Sequence, residues 1–276
     1  MMTELQSKNL QRHHEQARDV AQRLLARYKA MTGQAEVIDG TCRALPADGG
    51  PACDYCENRR YILDDAGTLK PCPHCGTANG WKAQKLAAYS SRTGRAQEQT
   101  FQNFNTAPVG RPDASLTLCL GAAQAFAADL DGWLVIHGKP GNGKSHLCAA
   151  VANELIAHGT SVIFVTMPDL LESLKALMDG AGDESTSDRL QTYKTVPVLI
   201  LDDLGAEKRS EWSEMTLFEL VDYRYRNRLP MMIATNLDPN NKDDFDPRVV
   251  DRWTDRELSV VVPNNAASWR QREMKS

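Results

Sequence analysis

The sequence predicts an α/β fold, a parallel sheet flanked by helices, and three observations carry that prediction. From residue 133 to residue 262 short apolar runs alternate with stretches of helical period, the pattern of strands that cross over through helices to pair in parallel. One run is joined to the next helix by a glycine-rich turn, residues 138–145, and another ends in two adjacent aspartates, Asp202 and Asp203. Both features fall where strands end, the edge at which open α/β sheets collect their ligands.

Composition bounds the rest. The chain has 276 residues, 42% hydrophobic and 25% charged, and its apolar runs stay well short of the roughly twenty residues that span a bilayer. A transmembrane protein is excluded. Met1 to Gln16 is too polar for the core of a secretory signal, so a cytoplasmic location is expected, where the seven cysteines need a use other than disulfides. Charge divides the chain in two: residues 1–95 carry 14 Lys+Arg against 10 Asp+Glu and residues 96–276 carry 18 against 26, so the net −4 resolves into +4 and −8. Four charges over the first part are a weak field and do not by themselves argue for nucleic acid.

Within residues 1–95, Ala17, Val20, Ala21, Leu24, Leu25, Tyr28 and Met31 recur at three- and four-residue steps, an amphipathic helix that either packs on its own domain or docks a partner. Gly33 stops it, and Gly40, Pro46, Gly49, Gly50 and Pro51 form a linker. Two C-x-x-C knuckles follow, Cys53/Cys56 and Cys72/Cys75, fifteen residues apart with Gly67 between them. Each knuckle aims two thiolates at one ion, and the returning loop completes a tetrahedron of soft ligands suited to Zn²⁺. Four thiolates leave no open position, so the metal is expected to be structural. His74 reads as solvent-facing, and Cys42, Cys119 and Cys148 are left over, Cys148 as a small core residue of a helix.

Past a polar stretch, Lys82 to Glu98, the α/β alternation begins. Strands are expected at Trp133–His137, Ser161–Val165, Val198–Leu201, Met231–Thr235 and Leu258–Val262. Helices are expected at Ser145–Ala157, Pro168–Met178 with Thr166 as cap, and Glu211–Arg228, with Gly180–Ser187 a Gly/Asp/Ser loop.

The turn Gly138-Lys139-Pro140-Gly141-Asn142-Gly143-Lys144-Ser145 fits the G-x-x-x-x-G-K-[ST] pattern between a strand and a helix. Its glycines let backbone N–H groups converge on phosphates, the helix start adds its dipole, Lys144 reaches the β and γ phosphates, and Ser145 ligates Mg²⁺. ATP is the ligand this predicts. Val198-Leu199-Ile200-Leu201-Asp202-Asp203 reads as the partner strand. Side chains alternate along a strand, so the two acids divide the work: Asp202 serves Mg²⁺ through water and Asp203 polarises the attacking water. Asn236, just past Ala234-Thr235, emerges beside that strand and is placed to hold the same water. Arg252 is the candidate cation for a neighbouring subunit's γ-phosphate and Arg248 the second choice; a surface salt bridge is the plain alternative for each. After the strand ending at Asp203, Lys208, Arg209 and Trp212 gather two cations and one aromatic, groups that bind phosphates and stack on bases, unless Trp212 packs at the start of its helix.

The ordered set Phe101-Gln102-Asn103-Phe104, Gly138 to Leu147 with His146 in it, Asp202-Asp203-Leu204-Gly205, Arg248 to Arg252 and Ser268-Trp269-Arg270 resembles the DnaC/DnaI helicase loaders and their IstB relatives among the AAA+ ATPases. The resemblance covers residues 100–272, and residues 96–276 are taken as the ATPase domain. It implies ATP bound between subunits of a spiral oligomer that grips single-stranded DNA and opens a replicative helicase ring. It further implies Asn236 as sensor 1, Arg252 as the finger, Arg270 as the sensor 2 equivalent, and single-stranded DNA contacts at Ser210 and Trp212. Asp203 stands where many AAA+ proteins have Glu, which shortens its reach to water. Pro263 to Ser276 are too few for a helical lid, as in the loaders. An IstB-type transposition ATPase is the alternative. A small-molecule P-loop kinase and a binding module with a vestigial ATPase are further alternatives.

Overall fold

The computed structural model describes residues 94–108, 111–158, 160–180 and 184–269, together with Ser90 and the backbone of 61–63 and 69–71. Strands β1 (Tyr61–Leu63) and β2 (Leu69–Pro71) pair antiparallel, Ile62 opposite Lys70, within the interval between the two cysteine knuckles. Cys53, Cys56, Cys72 and Cys75, with Cys42 and the 17–31 helix, lie outside the described residues.

The rest is α1 (Ala114–Asp129), β3 (Trp133–Gly138), α2 (Lys144–Ala157), β4 (Val162–Thr166), α3 (Met167–Met178), α4 (Thr186–Thr195), β5 (Val198–Leu204), α5 (Glu211–Arg226), β6 (Met231–Thr235), α6 (Pro247–Trp253) and β7 (Ser259–Asn264). The five strands form one parallel sheet in the order β4-β5-β6-β3-β7. Strand alternation sorts the core into two layers. Trp133, Val135, Ile163, Val165, Leu199, Leu201, Met231 and Ile233 face α3 to α6. Leu134, Ile136, Phe164, Ile200, Met232 and Ala234 face α1 and α2.

Three helices depart from the sequence expectation. Helix α1 buries Leu116, Cys119, Gly121, Ala122, Ala123, Ala125 and Phe126 on nearly every side, so no polar stripe marks it. Helix α4 is polar and begins inside the expected loop, where Ser185 accepts the Asp188 amide at 3.0 Å. Helix α6 holds both arginines of Arg248 to Arg252 and is capped by Asp246, which accepts the Arg248 amide at 2.8 Å. Strand β5 also runs on to Leu204 and β7 to Asn264, past the apolar stretches that announced them.

Candidate nucleotide site

Side chains cap the N-termini of α1, α3, α4, α5 and α6: Asp113, Thr166, Ser185, Ser210 and Asp246 each accept a first-turn amide. Helix α2 differs, because its cap position is Gly143 and no side chain among the described residues answers its first amides. An uncapped N-terminus with its dipole pointing outward is a seat for an anion. Gly143 has φ +96°, and a Cβ there would stand 2.9 Å from the Phe104 ring. Phe104 itself is buried under the loop and meets His146 edge-to-face at 5.2 Å. The His146 ring in turn bonds the Thr100 carbonyl and Asn103 through Nε2, so the Phe101–Phe104 segment braces the loop from below.

Lys144 is 5% exposed and turned inward, donating to the carbonyls of Gly138 at 2.7 Å and Lys139 at 2.9 Å and to Asn142 Oδ1 at 3.1 Å. Burial holds its ammonium below the ordinary lysine range, against the pull of Asp202 and Asp203. These acceptors are neutral, so a polyphosphate offers the ammonium charge compensation that the loop alone does not.

Asp202 is 3% exposed and Asp203 half-buried at the end of β5. Burial, then the neighbouring Asp203, pushes the Asp202 carboxyl up to about 6, while a hydrogen bond with Ser145 pulls the other way. Its Oδ1 is buried with no partner among the described residues. A hydroxyl and an orphaned carboxylate oxygen at the foot of a phosphate loop are the hard oxygen donors that suit Mg²⁺ with its retained waters. The strict alternation expected for the two acids does not hold. The β5–β6 register shifts between Leu201 and Leu204, and Asp203 has φ +49°. A bulge re-aims Asp203, so its direction is set by strained backbone rather than by pleat.

Strand β6 lies between β3 and β5 and delivers Asn236, exposed, to the same edge. Thr235 beneath it is buried and donates to the Leu204 carbonyl at 2.7 Å, tying β6 to the bulge.

The other candidates lie around this centre. Arg252 bonds Asp222 and stacks over Phe218 and Tyr225, whereas the more exposed Arg248 pairs with Asp246 and lies 3.9 Å over Phe218. Ser210 caps α5 in a reciprocal box with Ser213. Trp212 is half-buried against the core with the Lys175 ammonium 5.2 Å over its ring, and Arg209 pairs with Glu214 and the Asp243 carbonyl. Lys208 is exposed. Arg270 lies outside the described residues, but Trp269 donates its amide to the Gly141 carbonyl at 2.8 Å, so the chain leading to it reaches the phosphate loop. Cys119 and Cys148 are buried thiols, the first pushed up to about 12 by burial, and are no nucleophiles.

Sequence reasoning missed Asn264, which exchanges side-chain-to-backbone hydrogen bonds with Asn142. An asparagine after a strand carries no signal of a contact 122 positions away.

A strand-ended phosphate loop, an acid pair one strand removed and a polar residue from the strand between them define an AAA+ P-loop ATPase. Residues 119–275 match the family model described as IstB-like ATP binding protein, and the chain belongs to that family. The replicative helicase loader DnaC of Buchnera aphidicola subsp. Acyrthosiphon pisum is 32% identical over 226 residues, 80% of this chain and 90% of the relative. The DnaC loader of Escherichia coli K12 is 28% identical over 200 residues, 69% and 78% of the two chains. Among solved structures, the crystal structure of the DnaC helicase loader aligns with a TM-score of 0.53 at 24% identity, over 63% of this chain and 100% of that one, a likeness of fold. Among the described residues no helix is long and apolar enough to cross a membrane.

Proposed function

We propose that this ATPase is a cytoplasmic loader of a replicative helicase, coupling ATP binding and hydrolysis to assembly on single-stranded DNA. The observation that carries this reading is the similarity to DnaC over 226 residues, well beyond the span of the family match. In this reading Gly138, Pro140, Gly141, Asn142, Gly143 and His146 build or brace the loop, Lys144 holds the β and γ phosphates, and Ser145 and Asp202 hold Mg²⁺. Asp203 and Asn236 orient the attacking water. Mg²⁺ supplies charge neutralisation on the transferring phosphoryl group. Arg252, or Arg248 beside it, comes from a neighbouring copy, so turnover follows self-association, and Arg270 reaches the nucleotide from the tail.

DNA is assigned to Lys208, Arg209, Ser210 and Trp212, ahead of and within the first turn of α5. Residues 1–95 are assigned to the helicase, with Cys53, Cys56, Cys72 and Cys75 holding Zn²⁺. The antiparallel β1–β2 pair within the interval between the knuckles supports a zinc hairpin.

The deciding experiment is co-elution of the full chain with the replicative helicase of its host in the presence of ATP. Retention of binding after removal of residues 1–95, or failure of the full chain to bind, defeats the loader reading. Fluorescence anisotropy with single-stranded oligonucleotides tests the DNA assignment: the Lys208→Ala/Arg209→Ala pair should lower the salt slope by about two charges. The Trp212→Ala variant should weaken binding by about tenfold.

A further inference from the structure

The segment leaving β7 is stapled to the phosphate loop. Asn142 Nδ2 donates to the Asn264 carbonyl at 2.8 Å, and Asn264 Nδ2 donates back to the Asn142 carbonyl at 3.0 Å. Both residues are buried, at 0% and 1% exposure. The Asn264 amide is used at its other end too, because Oδ1 accepts the Ala266 amide at 3.2 Å. Gly138 is the last residue of β3 in register with Asn264, and a Cβ on it would stand 2.1 Å from the Asn264 carbonyl. Ser115 on α1 fixes the same segment, donating to Pro263 and accepting from Asn265.

An amide side chain is rigid, so the direction of its nitrogen decides the direction of its oxygen. With Nδ2 of Asn142 committed to β7, Oδ1 faces the loop interior and accepts from the Lys144 ammonium at 3.1 Å. Asn264 therefore grips Asn142 twice, by backbone on side chain and by side chain on backbone, and Asn142 in turn supplies one of the three acceptors around Lys144.

We infer that Asn264 is a positioning residue for nucleotide binding, acting through Asn142 on the Lys144 ammonium. This rests on Lys144 as the phosphate ligand. The clamp fixes where the ammonium waits before phosphate arrives and lowers the cost of ordering the loop around it. The same segment bonds Gly141 through the Trp269 amide, so a shift of the loop on nucleotide binding is felt in the tail.

The test is a double-mutant cycle on the full chain, reading the Kd of a fluorescent ATP analogue with Mg²⁺. Asn264→Ala removes one buried hydrogen bond of the clamp and should weaken binding about fivefold, and Asn142→Ala, which also strips an acceptor from Lys144, about tenfold. The Asn264 bond to the Asn142 carbonyl survives in Asn142→Ala, so the double variant should be weaker than Asn142→Ala, but by clearly less than the fivefold that Asn264→Ala costs in the parent. A merely structural role for Asn264 gives losses that add, and additive losses overturn the inference. So does an Asn264→Ala Kd within twofold of the parent. Asn264→Ser is carried through the same cycle in case Asn264→Ala fails to fold. Hydrogen exchange at saturating nucleotide supplies a second readout: the change at Trp269, whose bond to Gly141 is direct, should be smaller in Asn264→Ala than in the parent, and an undiminished response in the variant counts against the inference. Lys144→Ala separates the two levels, because a parent-like Kd in that variant defeats the reading of Lys144 itself.

Discussion

Asp222 holds Arg252 within its own chain, one carboxylate oxygen accepting from Nε at 3.0 Å and from Nη2 at 2.5 Å. The third arm of the fork, Nη1, donates to the Arg248 carbonyl at 2.7 Å, and the second carboxylate oxygen takes Arg226. An arginine engaged at every arm is oriented rather than idle. To act on another subunit's nucleotide it must either leave Asp222 or present a free edge beside it.

Arg252→Ala should abolish the rise of ATPase rate with protein concentration, with a loss of about a thousandfold in the assembled state, because a cation on the γ-phosphate is worth that much in related chemistry. Asp222→Asn keeps the shape and loses the charge, so it should retain concentration-dependent turnover while changing its amplitude. Steady-state ATPase across a protein titration reads both.

Asp202 gives a pH signature. Its folded pKa of about 6 stands above the ordinary carboxylate value of 3.8, so between those limits the native state holds a proton that the unfolded chain releases. Stability from this group is then greatest below the lower limit and falls as pH rises through the upper one. Asp202→Asn mimics the protonated form and should match the parent near pH 4 but exceed it by about 2 kcal/mol at pH 8 in urea denaturation without nucleotide. Stabilisation by Mg²⁺ and ATP should run the other way in the parent, growing from pH 5 to pH 7, and be lost in the variant.

Arg224 is 0% exposed and pairs with no carboxylate among the described residues, its charge spread over the carbonyls of Tyr193, Lys194, Val196, Pro197 and Pro230 at 2.6–3.3 Å. It ties the end of α4 and the entry to β5 to the entry of β6, at the sheet edge away from the nucleotide. Arg224→Met keeps the length but strips those carbonyls of the guanidinium donors, Pro230 alone among them keeping a bond from the Leu199 amide, and should cost about 3–5 kcal/mol of stability by chemical denaturation. Well below its melting temperature the variant should keep the parent's KM for ATP.

Gly143→Ala should reduce ATP binding more than tenfold. The left-handed backbone costs a side chain about 1–2 kcal/mol, and its Cβ meets the Phe104 ring. Phe104→Leu in the same chain should recover only the steric part, and isothermal titration of the two variants separates backbone from contact.

The strands and the phosphate loop were legible because each is written in a short window: an unbroken apolar run in Leu134 to Ile136, or Gly143-Lys144-Ser145 after a strand. What escaped notice depends on partners far along the chain. Helix α1 is buried so widely that Ala122, Ala123 and Ala125 give no periodic stripe. Arg224 looks like a solvated charge near a helix end, and only the carbonyls of a distant turn make it a core residue. The bulge at Asp203 is likewise invisible, since nothing in Leu201-Asp202-Asp203-Leu204 announces a left-handed aspartate.

The seat of β3 in the sheet has a consequence for how the protein is made. Both neighbours of the strand that launches the phosphate loop are synthesised long after it: β6 begins at Met231 and β7 at Ser259. A nascent chain paused before Asn264 has its Gly138–Ser145 segment without the strand and the amide clamp that shape it. The surroundings of the phosphate loop are therefore complete only once β6 and then β7 lie beside β3.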